Sequence, residues 1–92
     1  GDAQGNFSPA KPISRVELVV LLTKVLNLDT TKLPTTATFK DVPVNHWAFK
    51  YVEAAYKAGI VTGISVNEFG INNTTTREQM AVMIVRALSL LD

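Results

Sequence analysis

The sequence predicts an all-α domain, a small three-helix bundle with long ordered connecting loops. Three observations predict it. Residues 7–28 and 69–90 carry one pattern twice, 62 positions apart and without a gap. The pattern is an aromatic, a polar loop, a hydroxyl residue, an Arg, an acid or amide three positions past the hydroxyl, then an apolar stretch. Each copy places a helix-starting box there: Ser14 with Glu17, and Thr76 with Gln79. In such a box, each side chain satisfies the other residue's free backbone N–H. Between the copies a third apolar stretch runs to Gly59, a residue suited to end a helix in the left-handed conformation. Repetition at this period signals a modular array, so the loop-to-helix junction is built to act more than once.

The first helix is expected from Ser14 to about Asn27–Asp29, with Pro12 just upstream, where no helical donor is needed. Leu18, Leu21, Leu22, Val25 and Leu26 recur at helical spacing, and Val19 and Val20 widen the apolar face. Residues 30–38 are a Thr-rich connector broken by Pro34, with little to bury. The second helix is expected near Asn45 or His46, with Asn45 as N-cap. Trp47, Tyr51, Val52 and Ala55 share its inner face, with Ala48 on the flank. Gly59 ends it and Ile60 makes the accompanying apolar contact; Gly59 and Gly63 are read as turn residues needing positive φ. The third helix starts at Thr76 and buries Met80, Met83, Ile84, Ala87, Leu88 and Leu91.

Composition narrows the functions. A chain of 92 residues supports one modest core, and a net charge of +1, with its nine Lys and Arg scattered, lacks the basic face of a nucleic-acid binder. Zero cysteines exclude disulfides, thiolate metal sites and thiol nucleophiles. The longest apolar run, residues 18–22, is far too short to span a bilayer, so membrane insertion is not expected. Residues 1–6 read as an excised start with no signal peptide, and the chain as part of something longer. His46 is the single histidine, without a Ser or Cys partner motif, and no metal spacing exists. Catalysis is not expected, and no cofactor is implied.

In both copies an Arg follows the cap directly: Arg15 after Ser14, Arg77 after Thr76. The helix dipole makes a cation in that first turn unfavourable by about 0.3–1 kcal/mol at exposed sites. Its recurrence in two divergent copies points to a task besides stability. The guanidinium is a planar fork suited to carboxylate or phosphate, and free N–H groups at the helix start add to an anion site. The alternative is structural: each Arg pairs with a nearby acid such as Asp41.

F-K-D-V-P-V-N-H-W-A at residues 39–48, A-G-I-V-T-G at 58–63, Phe69 and T-T-R-E-Q-M-A at 75–81 resemble the S-layer homology motif. That motif reads F-x-D-V, W-A, G-I-I/V-x-G, F-x-P and I-T-R-A-E. By this resemblance residues 1–29 are the C-terminal half of a first repeat, with G-x-F-S-P at 5–9 and I-S-R-V-E at 13–17. Residues 30–37 are a connector, and 38–92 a complete repeat. The sequence departs from the motif at Glu78 and Gln79, where Ala-Glu is usual, and at Ile71, where Pro is usual. These changes rank Arg15 ahead of Arg77.

The resemblance implies a non-catalytic anchoring module at a bacterial cell surface, extracellular, in the cell wall or S-layer of mainly Gram-positive envelopes. It implies a pseudo-threefold assembly of repeats with grooves between neighbours. The expected ligand is an anionic secondary cell-wall polysaccharide, often pyruvylated, gripped by Arg15 and Arg77. Other expected partners are neighbouring repeats in a longer chain or, in a homodimer, a second copy. Trp47 reads first as core and alternatively as a stacking face for a pyranose; Asp41 reads first as structural and alternatively as part of the ligand site. Gly63, lacking a side chain, also lets a ligand approach. The competing reading is a structural, self-assembly or protein-interaction module that keeps the fold without binding glycan. A helix-turn-helix DNA binder is disfavoured by the long connector and the near-neutral charge.

Overall fold

A computed structural model describes residues 13–90. It is all-α: α1 spans Arg15–Val25, α2 Phe49–Lys57 and α3 Arg77–Ser89. Among the described residues there is no strand, only an isolated antiparallel bridge between Ser14 and Thr74. The expected loop from Phe7 to Pro9, Pro12 and Leu91 lie outside the described residues.

Both expected boxes form. Ser14 Oγ accepts the Glu17 N–H at 3.1 Å while Glu17 Oε1 accepts the Ser14 N–H at 2.9 Å. Thr76 and Gln79 repeat this at 3.1 and 3.2 Å. Each cap is worth about 1 kcal/mol, which is why both helices start where the sequence says. The helix ends are equally local. Asn27 at φ 54° closes α1, its N–H bonding Lys24 O, while the Leu28 N–H returns to Thr23 O at 3.0 Å. Gly59 at φ 84° closes α2 in the same way, with the Ile60 N–H on Ala55 O at 3.0 Å.

The start of α2 departs from expectation. Asn45 does not cap it; the helix begins four residues later, behind Ala48, with no side-chain cap. Residues 44–48 form turns in which the His46 N–H bonds Pro43 O and the Ala48 N–H bonds His46 Nδ1. Pro43 favours a turn at that point, and the imidazole satisfies locally the donor that a cap would have taken. Trp47 therefore lies off the helix and 63% exposed, not in the core.

The core is centred on loop residues rather than on a helix-to-helix seam. Phe39, Val42, Ile60, Val61 and Phe69, all from connections, are buried with Val16, Leu18 and Val19 of α1 and Val52 and Ala55 of α2. Phe39 packs edge-on to Tyr56 at 5.3 Å and tilted against Phe69 at 5.8 Å. Burying such side chains contributes roughly 1.5–3 kcal/mol each. α1 packs mainly on α2 and less on α3, while no residue of α2 comes within 8 Å (Cα–Cα) of α3.

The expected apolar stripes hold in part. In α1, Leu18 and Val19 are buried and Val20, Leu22 and Leu26 partly so, but Leu21 and Val25 face outward. In α3, Met83 and Ala87 are buried and Met80 partly, whereas Ile84 and Leu88 are exposed. The connector, expected to have little to bury, ends in a buried polar contact. The Glu53 carboxylate, 3% exposed, accepts the Thr38 N–H at 2.9 Å and the Thr38 hydroxyl at 2.7 Å.

Candidate functional site

The two repeated junctions meet. The Arg15 N–H bonds Asn73 O at 3.0 Å and the Thr75 N–H bonds Ile13 O at 2.9 Å, so the segments leading into α1 and α3 lie side by side. Two positive helix ends are thereby brought together, a field favouring an anion.

Arg15 sits at this meeting point and is only 4% exposed. Its Nε donates to Phe69 O at 3.0 Å and one terminal nitrogen, Nη2, to Thr62 O at 2.8 Å. Its guanidinium lies 4.9 Å from the centre of the Phe69 ring. Burial lowers its pKa, and the negative charge of Asp41 works in the opposite direction. Among the described residues its partners are two backbone carbonyls and an aromatic face, not an acid. With two of five N–H donors engaged, three are left for whatever occupies the neighbouring space.

That space is a hollow of about 260 Å³ between α3, Arg15 and the segment 60–64. Besides Arg15, its polar wall consists of Thr62, Gly63, Glu78, Gln79 and Arg86, with Val82 and Met83 as apolar floor. Its volume is slightly below the common range for small-molecule pockets, about 300–1,000 Å³. A buried cation, a second cation on Arg86 and an acid on Glu78 offer complementary partners for a carboxylate and for hydroxyls.

Gly63 is in this wall, but its reason for being glycine differs from expectation. Positive φ occurs at Gly59 and Gly70, not at Gly63. A Cβ on Gly63 would instead collide with Glu68 O and lie 2.6 Å from both the Phe39 ring and Ser65 O. Tight packing under the 62–68 turn, rather than backbone handedness, excludes a side chain there.

Asp41 is placed as a loop organiser. Its Oδ1 accepts the Phe69 N–H at 2.9 Å; its Oδ2 accepts the N–H groups of Gly70 and Ile71 at 2.9 and 3.0 Å. Burial disfavours its charge, but the three backbone donors outweigh that and hold its pKa below the usual carboxylate value. Asp41 thus fixes the 69–71 segment whose Phe69 carbonyl in turn holds Arg15. It does not line the hollow.

Arg77 and Trp47 stand apart. Arg77 is exposed, outside the hollow, and its side chain has no hydrogen bond or ion pair among the described residues. Trp47 belongs to a surface group with His46 and Tyr51, ring centres 5.8 and 6.4 Å away, while Lys24 and Lys50 lie over the Tyr51 ring at 5.7 and 5.2 Å. Thr23 Oγ1 is 3.5 Å from Tyr51 O, so this group adjoins the end of α1 opposite Arg15. The stretch of helix between Arg15 and Thr23 spans about 12 Å. The residues expected to form one site therefore fall in three places.

Sequence reasoning missed Arg86, Glu78, Gln79 and Thr62 as wall residues. Glu78 and Gln79 adjoin Arg77 in the repeated motif, and Arg86 follows at helical spacing, a signal visible in sequence. Thr62 contributes a backbone carbonyl to Arg15, which no side-chain pattern reveals.

Comparison with known proteins agrees with this architecture. Residues 38–81 match the S-layer homology domain. The chain is 42% identical over 95 aligned residues to an endoglucanase of Bacillus sp. (strain KSM-635), covering all of this chain and 9% of that protein. It is 38% identical to the surface-layer 125 kDa protein of Lysinibacillus sphaericus, over 98% of this chain and 7% of that one. It is 36% identical to the S-layer protein EA1 of Bacillus anthracis, over 100% of this chain and 10% of that one. The chain thus spans a small fraction of the curated relatives it matches, whose names include both enzymes and surface-layer proteins. What they share with it is a segment about the length of this chain, and on that ground, with the match at residues 38–81, the chain belongs to the S-layer homology family, a cell-surface anchoring domain.

Proposed function

We propose that this chain holds a larger protein to the cell wall by binding an acidic secondary cell-wall polysaccharide in the Arg15 hollow. A pyruvylated sugar fits best, because its ketal carries a carboxylate on a pyranose. The observation that carries this reading is the buried, oriented Arg15 with unspent donors beside an open hollow. Two carbonyls fix the fork in advance, so little side-chain freedom is lost on binding. Arg86 supplies a second cation, Glu78 and Gln79 accept or donate to hydroxyls, and Gly63 leaves room for a ring. The exposed Trp47 offers a separate stacking face for further units of a polymer.

The test is a pull-down on purified cell-wall sacculi, before and after extraction of the polymer. Arg86→Ala and Glu78→Ala change only the exposed wall and keep the fold; Arg15→Ala is run beside them with a thermal melt. Binding that depends on the polymer and drops at least tenfold in Arg86→Ala supports the reading. Undiminished binding by all three variants would overturn it.

A second reading, assembly without glycan, draws on a different observation. Arg15 serves the fold through its two carbonyl bonds whether or not a ligand is present.

A further inference from the structure

The turn that walls one side of the Arg15 hollow has a second hollow behind it. This space, about 330 Å³, is lined by Phe39, Tyr56, Thr62, Gly63, Ser65 and Val66. Thr62 and Gly63 border both spaces and form their common wall. The turn also divides its apolar side chains between the two sides: Ile64 lines the Arg15 hollow and Val66 the second. Val66 is 88% exposed, an apolar side chain that the fold itself leaves without cover.

The two hollows differ in charge. Three ionised side chains, Arg15, Glu78 and Arg86, line the first, and none lines the second. The second has instead an aromatic platform with hydroxyl groups around it. Tyr56 is half exposed, and Phe39 packs edge-on to its ring at 5.3 Å, so the ring is oriented before anything binds. Among the described residues no hydrogen bond engages the side-chain hydroxyls of Tyr56, Thr62 or Ser65. The wall between the hollows is fixed. The Ile64 and Ser65 N–H groups bond Glu68 O at 2.8 and 3.2 Å, and the Lys40 N–H bonds Asn67 O at 2.8 Å.

We propose that the second hollow is a subsite for an uncharged sugar, the unit next to the acidic one in the same polymer, with Tyr56 as its stacking face. This rests on the reading that the Arg15 hollow takes the acidic unit. A neutral pyranose shows C–H groups on its faces and O–H groups at its edge, which an aromatic ring ringed by hydroxyls complements. A carboxylate leaving water for this hollow would meet no cation. The common wall sets the two subsites side by side, as consecutive units of one polymer require. Trp47 lacks that continuity, since it lines neither hollow.

The test is an NMR titration of the complete chain with two probes. One is the methyl glycoside of a pyruvylated hexose, and the other is polymer released from sacculi. Both should shift the Arg86 signals, but only the polymer should shift the Tyr56 ring and Val66 methyl signals. Tyr56→Leu keeps an apolar cover on Phe39 and removes the stacking face. It should weaken polymer binding about three- to tenfold and leave binding of the single sugar unchanged. Tyr56→Phe keeps the ring and should retain most of the affinity; thermal melts check that both variants fold. Polymer binding by Tyr56→Leu as tight as the parent's overturns the inference and leaves the reading of the Arg15 hollow standing. Equal weakening toward both probes also overturns it, because Tyr56 would then act through the first hollow. If Arg86→Ala binds polymer as the parent does, the reading itself fails, and the subsite with it.

Discussion

Helices α1 and α3 start from the same signals and end in different surroundings. Each opens on a reciprocal capping box followed directly by an Arg. In α1 that Arg is buried against two carbonyls and a ring; in α3 it stands in solvent. The comparison teaches that the motif specifies a helix start, while the neighbour decides what the Arg does there. A cation in the first turn opposes the helix dipole, and α1 offsets this by carbonyl oxygens from a loop 47 and 54 residues away.

The largest expected difference between the copies follows from those bonds. Arg15→Ala removes two hydrogen bonds to a charged group and strands buried acceptors, and should cost about 3 kcal/mol in chemical denaturation. Arg77→Ala should shift stability by no more than about 0.5 kcal/mol. Equal losses in the two variants would break the comparison.

Gly63→Ala sharpens it from the loop side. The new Cβ meets backbone and the Phe39 ring, so a loss of about 1–3 kcal/mol is expected. The change should also disturb the 62–68 turn that presents Thr62 O, reducing protection of the Arg15 Nη2 hydrogens in hydrogen exchange.

The acid limit probes Asp41. Its folded pKa lies below the unfolded value, so it adds stability above the ordinary carboxylate range near about 4. That contribution is lost as pH falls through the depressed folded value. Asp41→Asn, melted from pH 7 to pH 2, should flatten the acid side of the stability curve; an unchanged profile would mean that the three N–H bonds carry no net charge preference.

The smallest effects are at the caps. Ser14→Ala and Thr76→Ala should each cost about 1 kcal/mol, alike in both copies, because the boxes are the same local device in either setting. A clear inequality would show that the meeting of the two entrances, through the Asn73 and Ile13 carbonyls, stabilises one start more than the other.

Much of the fold was legible because its signals are short-range. Both boxes, the glycine stop of α2 and the Asn27 region stop of α1 need only residues within one or two turns. The start of α2 was misread because His46 competes with Asn45 for the capping task after Pro43. Trp47 was misread for the same reason, since its helical spacing counts only if it is in the helix. Periodicity likewise overestimated the buried stripes of α1 and α3, whose apolar residues encircle more of the helix than this chain alone covers.

Sequence by itself determined where α1 and α3 begin, where α1 and α2 stop, that the chain repeats, and that Arg15 and Arg77 occupy matching positions. Tertiary structure alone decided that Arg15 becomes a clasp beside a hollow, that Asp41 organises a loop instead of binding that Arg, and that Trp47 stands elsewhere. The physical reason is range. Caps and turns are settled by neighbouring backbone groups, whereas the surroundings of a long side chain depend on which distant carbonyls and rings the packed core brings to it.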